Sequence, residues 1–113
     1  MMIIRLFVFV LVMGGAVFSK AQDSVRVQLH GVVLDSLSGA PVYEALVEWY
    51  DANGKRQAIT QTNSEGHYAL FLYAGQPIEL RITENGYRPF MEMVPPFEPG
   101  ESAREVDLHL VAQ

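Results

Sequence analysis

The sequence predicts an all-β fold, a seven-stranded antiparallel β-sandwich, and three observations carry that prediction. Apolar and polar residues alternate with a period of two through most of the chain beyond residue 24, the mark of strands with one buried face. Clusters of Gly, Asn, Asp, Ser and Pro interrupt the alternation roughly every 8 to 12 residues, as turns do between short strands. No stretch after residue 24 repeats its apolar residues at helical spacing, so the apolar faces must be buried sheet against sheet.

Val25, Val27, Leu29, Gly31 and Val33 alternate with Arg26, Gln28 and His30 and predict the first strand. Asp35 to Pro41 is a turn: Asp and Ser bond the local backbone, Gly39 supplies a positive φ, and Pro41 sets an extended exit. A second strand is expected from Val42 to Tyr50. Ala45, Val47 and Trp49 lie on its inner face, with Glu44, Leu46, Glu48 and Tyr50 outward. Asp51-Ala-Asn-Gly54 predicts a tight hairpin, because Asn-Gly suits two central residues at positive φ. The polar third strand, Lys55 to Thr62, suits a sheet edge.

Asn63 to Gly66 turns the chain again. Tyr68, Leu70 and Leu72 then alternate with His67, Ala69, Phe71 and Tyr73 in a fourth strand. Beyond Ala74-Gly-Gln-Pro77, residues Ile78, Leu80 and Ile82 mark a fifth, and Glu84-Asn-Gly86 closes it. Tyr87 to Val94 is read as the sixth strand and Val106 to Leu110 as the last. Between them Pro95 to Gly100 lacks ladder donors and is expected to be a mobile loop.

The chain has 113 residues, enough for one domain. Its first part reads as a leader. Arg5 precedes the uncharged stretch Leu6–Phe18, and Ser19-Lys20-Ala21 places small residues at a cleavage site. The stretch is 13 residues long, short of the about 20 that span a bilayer. The expected organisation is a signal peptide over 1–21 and a β-sandwich domain over 22–113. Export to the periplasm or the extracellular space follows, without stable membrane insertion after cleavage. Losing Arg5 and Lys20 lowers the Lys and Arg count from eight to six, and the formal charge moves from −5 to −7. So acidic a domain argues against nucleic acid and anionic membrane surfaces as partners. There is no cysteine, so an exported form is held by its core alone and suits a bacterial envelope.

Gly31, Val33 and Asp35, then Gly39, Pro41 and Val42, then Ala45 and Val47, form a pattern that resembles the carboxypeptidase regulatory-like domain. Thr62, Gly66 and Tyr68 continue the likeness, as does Gly86-Tyr87 after the strand ending in Ile82. The resemblance runs from about Val25 to Leu110. It implies a transthyretin-like, seven-stranded Greek-key sandwich, here in a stand-alone exported form. Members of that family differ widely in role: some follow the catalytic domain of zinc carboxypeptidases, others precede outer-membrane receptor barrels. Hydroxyisourate hydrolase is a catalytic relative by fold, but its starting His-Val-Leu-Asp is not matched. Here Gly31-Val32 separates His30 from Val33-Leu34-Asp35, and the chain ends Leu110-Val-Ala-Gln113 instead of Tyr-Arg-Gly-Ser.

Chemistry-bearing residues are scattered. His30, His67 and His109 fall on separate predicted strands, facing away from the apolar stripe, and His30 and His109 would approach each other if the first and last strands were neighbours. A zinc site needs three or four ligands converging at about 2 Å, so no metal and no cofactor are expected. Ser24, Ser36, Ser38, Ser64 and Ser102 lie in turns or ends, outside any nucleophile elbow. Glu44 and Glu48 would lie about 13 Å apart on one strand face, too far for a glycosidase pair. No catalytic residues are assigned.

The sharper expectation concerns Leu46, Tyr50, Phe71 and Tyr73, all outward by alternation, with Phe90 and Phe97 as possible additions. Gathered on one solvent face, they would hold a protein partner or stack on sugar rings; covered by the Tyr87–Phe97 segment, they would not. The expected function is a non-catalytic module that binds or scaffolds another protein in the bacterial cell envelope. The alternative is a carbohydrate-binding module, with a hydroxyisourate-hydrolase-like enzyme a distant third.

Overall fold

The computed structural model describes residues 25–113 and has eight strands in two four-stranded sheets. The predicted leader, and Ser24, lie outside the described residues. The strands are β1 (Arg26–Asp35), β2 (Leu46–Tyr50), β3 (Arg56–Gln61), β4 (His67–Tyr73), β5 (Ile78–Thr83), β6 (Phe90–Val94), β7 (Ala103–Glu105) and β8 (Leu108–Leu110). Sheet one runs β4-β1-β7, with β8 also paired to β1; sheet two runs β3-β2-β5-β6. The chain therefore crosses between sheets after β1, β3, β4 and β6, and the all-β sandwich read from the sequence is the architecture observed.

Period-two alternation places the core between the layers. Sheet one contributes Val27, Leu29, Val33, Tyr68, Leu70, Leu72, Leu108 and Leu110, and sheet two contributes Val47, Trp49, Ile78, Leu80, Ile82 and Val94; all are buried. Each fully buried aliphatic contributes about 1.5–3 kcal/mol, which suits a domain with no disulfide.

Several boundaries differ from the sequence reading, each for a local reason. The strand count is eight because the final strand is broken. The Val106–Asp107 step packs against Gly31, Val106 N–H bonds the His30 carbonyl, and Val32 N–H bonds the Asp107 carboxylate. Both halves pair parallel to β1, unlike the other ladders, because the connection after β6 returns the chain to sheet one in the direction of β1. Val42 to Ala45 is a turn, with Glu44 at φ 65°, so β2 starts at Leu46 and Glu44 does not share a strand face with Glu48. Tyr87 forms an isolated bridge to Ala112, and β6 starts only at Phe90. At Asp51–Lys55 only Gly54 has a positive φ, and the Asp51 carboxylate accepts from the N–H groups of Asn53 and Lys55. This is a bulged hairpin connection, not a two-residue turn.

The Pro95–Gly100 loop is pinned. Phe97 is buried in the core, and Arg104 donates to the carbonyls of Pro95 and Pro96 and to the Glu101 carboxylate. The arginine that closes this loop lies beyond it in sequence, and so composition pointed to mobility.

Candidate functional site

The polar residues of the recurrent motifs face inward to the chain's own backbone. Asp35 Oδ1 accepts from the N–H groups of Leu37 and Ser38 at 2.8 Å each, and its Oδ2 accepts from the Tyr87 hydroxyl at 2.9 Å. Those backbone donors, Ser38 first, hold the carboxyl at about 2. Thr62 is the buried polar residue of the core: Oγ1 accepts from Ala45 N–H at 2.9 Å and donates to the Val42 carbonyl at 2.6 Å. Tyr68 donates to the Val106 carbonyl at 2.6 Å, and burial pushes its hydroxyl pKa up. These motif side chains are therefore framework.

The three histidines do not converge: His30 and His67 are diagonal neighbours across β1 and β4 and line one pocket, while His109 is remote. His30 stands opposite Ala69 and Glu105, His67 opposite Val32, and His109 opposite Leu34. First and last strands are neighbours, as the meeting of His30 and His109 required, but the register separates the two by four residues of β1, about 13 Å. Among the described residues, no group of three His, Cys, Asp or Glu is placed to hold a metal ion.

The four outward apolar residues are divided between the layers. Leu46 and Tyr50 lie on β2 in sheet two, Phe71 and Tyr73 on β4 in sheet one, so the single four-residue patch does not form. Alternation along a strand tells in from out, not which sheet the strand joins. Tyr50 is half-buried beneath Arg81, whose guanidinium carbon is 3.8 Å from the ring centre and which is paired with Glu79 at 2.7 Å. Leu46 is also half-buried, beside Gln61, Thr83 and Tyr87. Phe97 is part of the core and Phe90 is half-buried against that core cluster, so neither extends an outward patch.

Phe71 and Tyr73 remain open to solvent, at 56% and 39% exposure. They border a groove of about 330 Å³ between the edges of β4 and β3, lined also by Arg26, Trp49, Gln57, Ala58 and Ile59. Arg26 lies over Phe71, 5.3 Å from its ring centre. Trp49 closes the floor, its ring centre 6.5 Å from that of Tyr73, and its indole N–H has no acceptor among the described residues. This groove is the candidate binding site. Sequence reasoning found Phe71 and Tyr73 but missed Gln57, Ala58 and Ile59, because β3 belongs to the other sheet and reaches β4 only through the crossover, and missed Arg26, which only the β1–β4 register sets opposite Tyr73.

Comparison with known proteins gives a family and a fold. The model of the carboxypeptidase regulatory-like domain matches residues 28–111. No curated protein matches the chain by sequence. Among solved structures, the Bacillus anthracis TIE protein superposes with a TM-score of 0.66 at 18% identity, over 78% of this chain and 17% of that one. Acinetobacter radioresistens catechol 1,2-dioxygenase gives 0.63 at 12% identity, over 84% of this chain and 54% of the enzyme. The 3-chlorocatechol 1,2-dioxygenase of Rhodococcus opacus 1CP gives 0.60 at 11%, over 80% and 60% respectively. The chain spans 60% or less of each of these structures. At such identities the likeness is one of fold.

Proposed function

The chain belongs to the carboxypeptidase regulatory-like domain family, and from that premise we propose that it acts as a non-catalytic module that binds another protein in the bacterial cell envelope. One observation carries the reading: the open groove beside β4, where Phe71 and Tyr73 stay exposed against the apolar wall of Ala58 and Ile59. Exposed apolar surface gathered at a groove marks a partner site more often than singly exposed residues do. The leader-like sequence of residues 1–21 supports export, and the internal use of Asp35, Thr62, Tyr68 and Tyr87 supports a structural role for the family signature.

Crosslinking in intact envelopes tests this. A discrete crosslinked species is expected at the size of this chain plus one partner; a protein that stays uncrosslinked on every face overturns the proposal.

A carbohydrate-binding role is the second reading, favoured by one detail. Two outward aromatic rings at one groove, with Arg26 and Gln57 beside them, offer stacking faces and polar donors together. Retention on polysaccharide columns, lost in Tyr73→Ala and Phe71→Ala, is the expected outcome on that reading. Retention unchanged by both substitutions counts against it.

A further inference from the structure

Resting on the protein-binding reading, we propose that the free edge of β4 is a strand-acceptor site. It takes an extended segment of a partner protein, apolar at alternate positions and carrying one carboxylate, as an added strand of sheet one.

The register identifies the acceptor groups. Ala74 N–H bonds the Val25 carbonyl and Val33 N–H bonds the Gly66 carbonyl. In an antiparallel ladder hydrogen-bonded pairs alternate, so the even-numbered residues of β4 point their backbone groups at β1. Two checks agree. On β1, Gln28 and His30 bond away from β4, to Ser102 and Val106, and on β4 both backbone groups of His67 bond Asn63. The N–H and C=O groups of Ala69, Phe71 and Tyr73 therefore point away from β1, and among the described residues β4 pairs with no other strand. Three donor–acceptor sets at every second residue match the backbone of one added strand.

Edge chemistry singles out β4. Long uncharged edges attract foreign strands, and proteins blunt the others with charge, proline or shortness. The β3 edge opens with Lys55 and Arg56, β6 carries Glu92 and runs into Pro95-Pro96, and β7 and β8 have three residues each. β4 has seven residues with no acidic residue, Lys, Arg, Gly or Pro.

The occupant's chemistry follows from the walls. Alternate side chains of an added strand would face Trp49, Ala58 and Ile59 on one side and continue the exposed row of Phe71 and Tyr73 on the other. Arg26, the charged residue lining this groove, forms no ion pair among the described residues, and a carboxylate on the incoming segment would complement it.

The test places a photo-crosslinking amino acid at Phe71 or, on sheet two, at Met93, in the cells that make the protein. The proposal expects capture of a partner from position 71 and not from 93. The captured peptide should alternate apolar residues and carry an Asp or Glu, and capture should be lost in Ala69→Pro. That proline removes an N–H the domain itself does not use, so the fold should survive, whereas Leu70→Pro removes a bond to β1 and should not fold. If Ala69→Pro also fails to fold, the captured segment is added as a synthetic peptide and must slow amide exchange at Phe71 and Tyr73; no slowing overturns the proposal. Capture from 93 alone, or capture from 71 that persists in a folded Ala69→Pro protein, overturns strand addition while protein binding stands. Capture of a second copy of this chain overturns the foreign segment, and no capture from either position overturns strand addition, while crosslinking over every face decides protein binding.

Discussion

Tyr68 stands directly opposite Gly31 in the β1–β4 register, and its hydroxyl bonds the Val106 carbonyl, which packs where a Gly31 side chain would be. A Cβ on Gly31 would lie 2.7 Å from the Val106 carbonyl carbon and clash with its oxygen. Two motif positions, 37 residues apart in sequence, thus act as one device that seats the break between β7 and β8. The missing side chain admits the backbone, and the phenol satisfies it.

Gly31→Ala is expected to destabilise the domain by about 2–3 kcal/mol, since the clash is with backbone on both sides. Tyr68→Phe should cost about 1 kcal/mol, the value of one hydrogen bond. Urea unfolding measures both. A Gly31→Ala protein as stable as the parent would mean that the β7–β8 step does not rest on residue 31.

Thr62 bridges a buried N–H and a buried carbonyl in the turn that delivers the chain to β2. Thr62→Val keeps the shape but leaves both groups unpaired, and a loss of about 3 kcal/mol is expected; Thr62→Ser should recover most of it. Thermal unfolding of the two variants side by side separates hydrogen bonding from packing.

Acid should weaken the fold over a defined window. Asp35 is held at about 2 by the Ser38 and Leu37 N–H groups and then the Tyr87 hydroxyl, and Glu101 at about 2 chiefly by Arg104. Both carboxyls are depressed in the folded state from ordinary values of 3.8 and 4.5. Folding therefore favours their ionised forms. That stability is complete above pH about 5 and is lost as pH falls through about 2. Tyr87→Phe removes one donor and should raise the Asp35 midpoint, leaving that of Glu101 in place. Carbon-detected titration of the two carboxyls reads this directly, and an unmoved Asp35 midpoint would contradict the role given to the Tyr87 hydroxyl.

The layers and their cores were legible because strands buried on one face write their period into the chain: Val27, Leu29 and Val33, or Ile78, Leu80 and Ile82, appear at alternate positions and are buried as read. What stayed hidden depends on contacts between distant segments. Whether Tyr50 shares a face with Tyr73 depends on which sheet each strand joins. Whether Glu44 continues a strand depends on Thr62 bonding the turn around it. The groove needed β3, a strand of the other layer, to supply its second wall.

The last prediction concerns the loop that composition marked as mobile. Arg104 makes four polar contacts from one planar group: Glu101 at 2.8 and 2.7 Å, the Pro95 carbonyl at 2.6 Å and the Pro96 carbonyl at 3.1 Å, while lying 4.5 Å from the centre of the Phe97 ring. The carbonyls of Pro95 and Pro96 take hydrogen bonds from this side chain. Lysine would bring the charge but not the fork, and could not reach carboxylate and carbonyls together. Arg104→Lys and Arg104→Ala should therefore both speed amide exchange at Phe97 and Glu98, by on the order of tenfold, and Arg104→Ala should open the loop to protease. Phe97 should stay buried in both, because its ring is held by the core, so near-ultraviolet dichroism should change little. If Arg104→Lys instead protects the loop as well as arginine does, charge alone closes it and the planar fork has no special part.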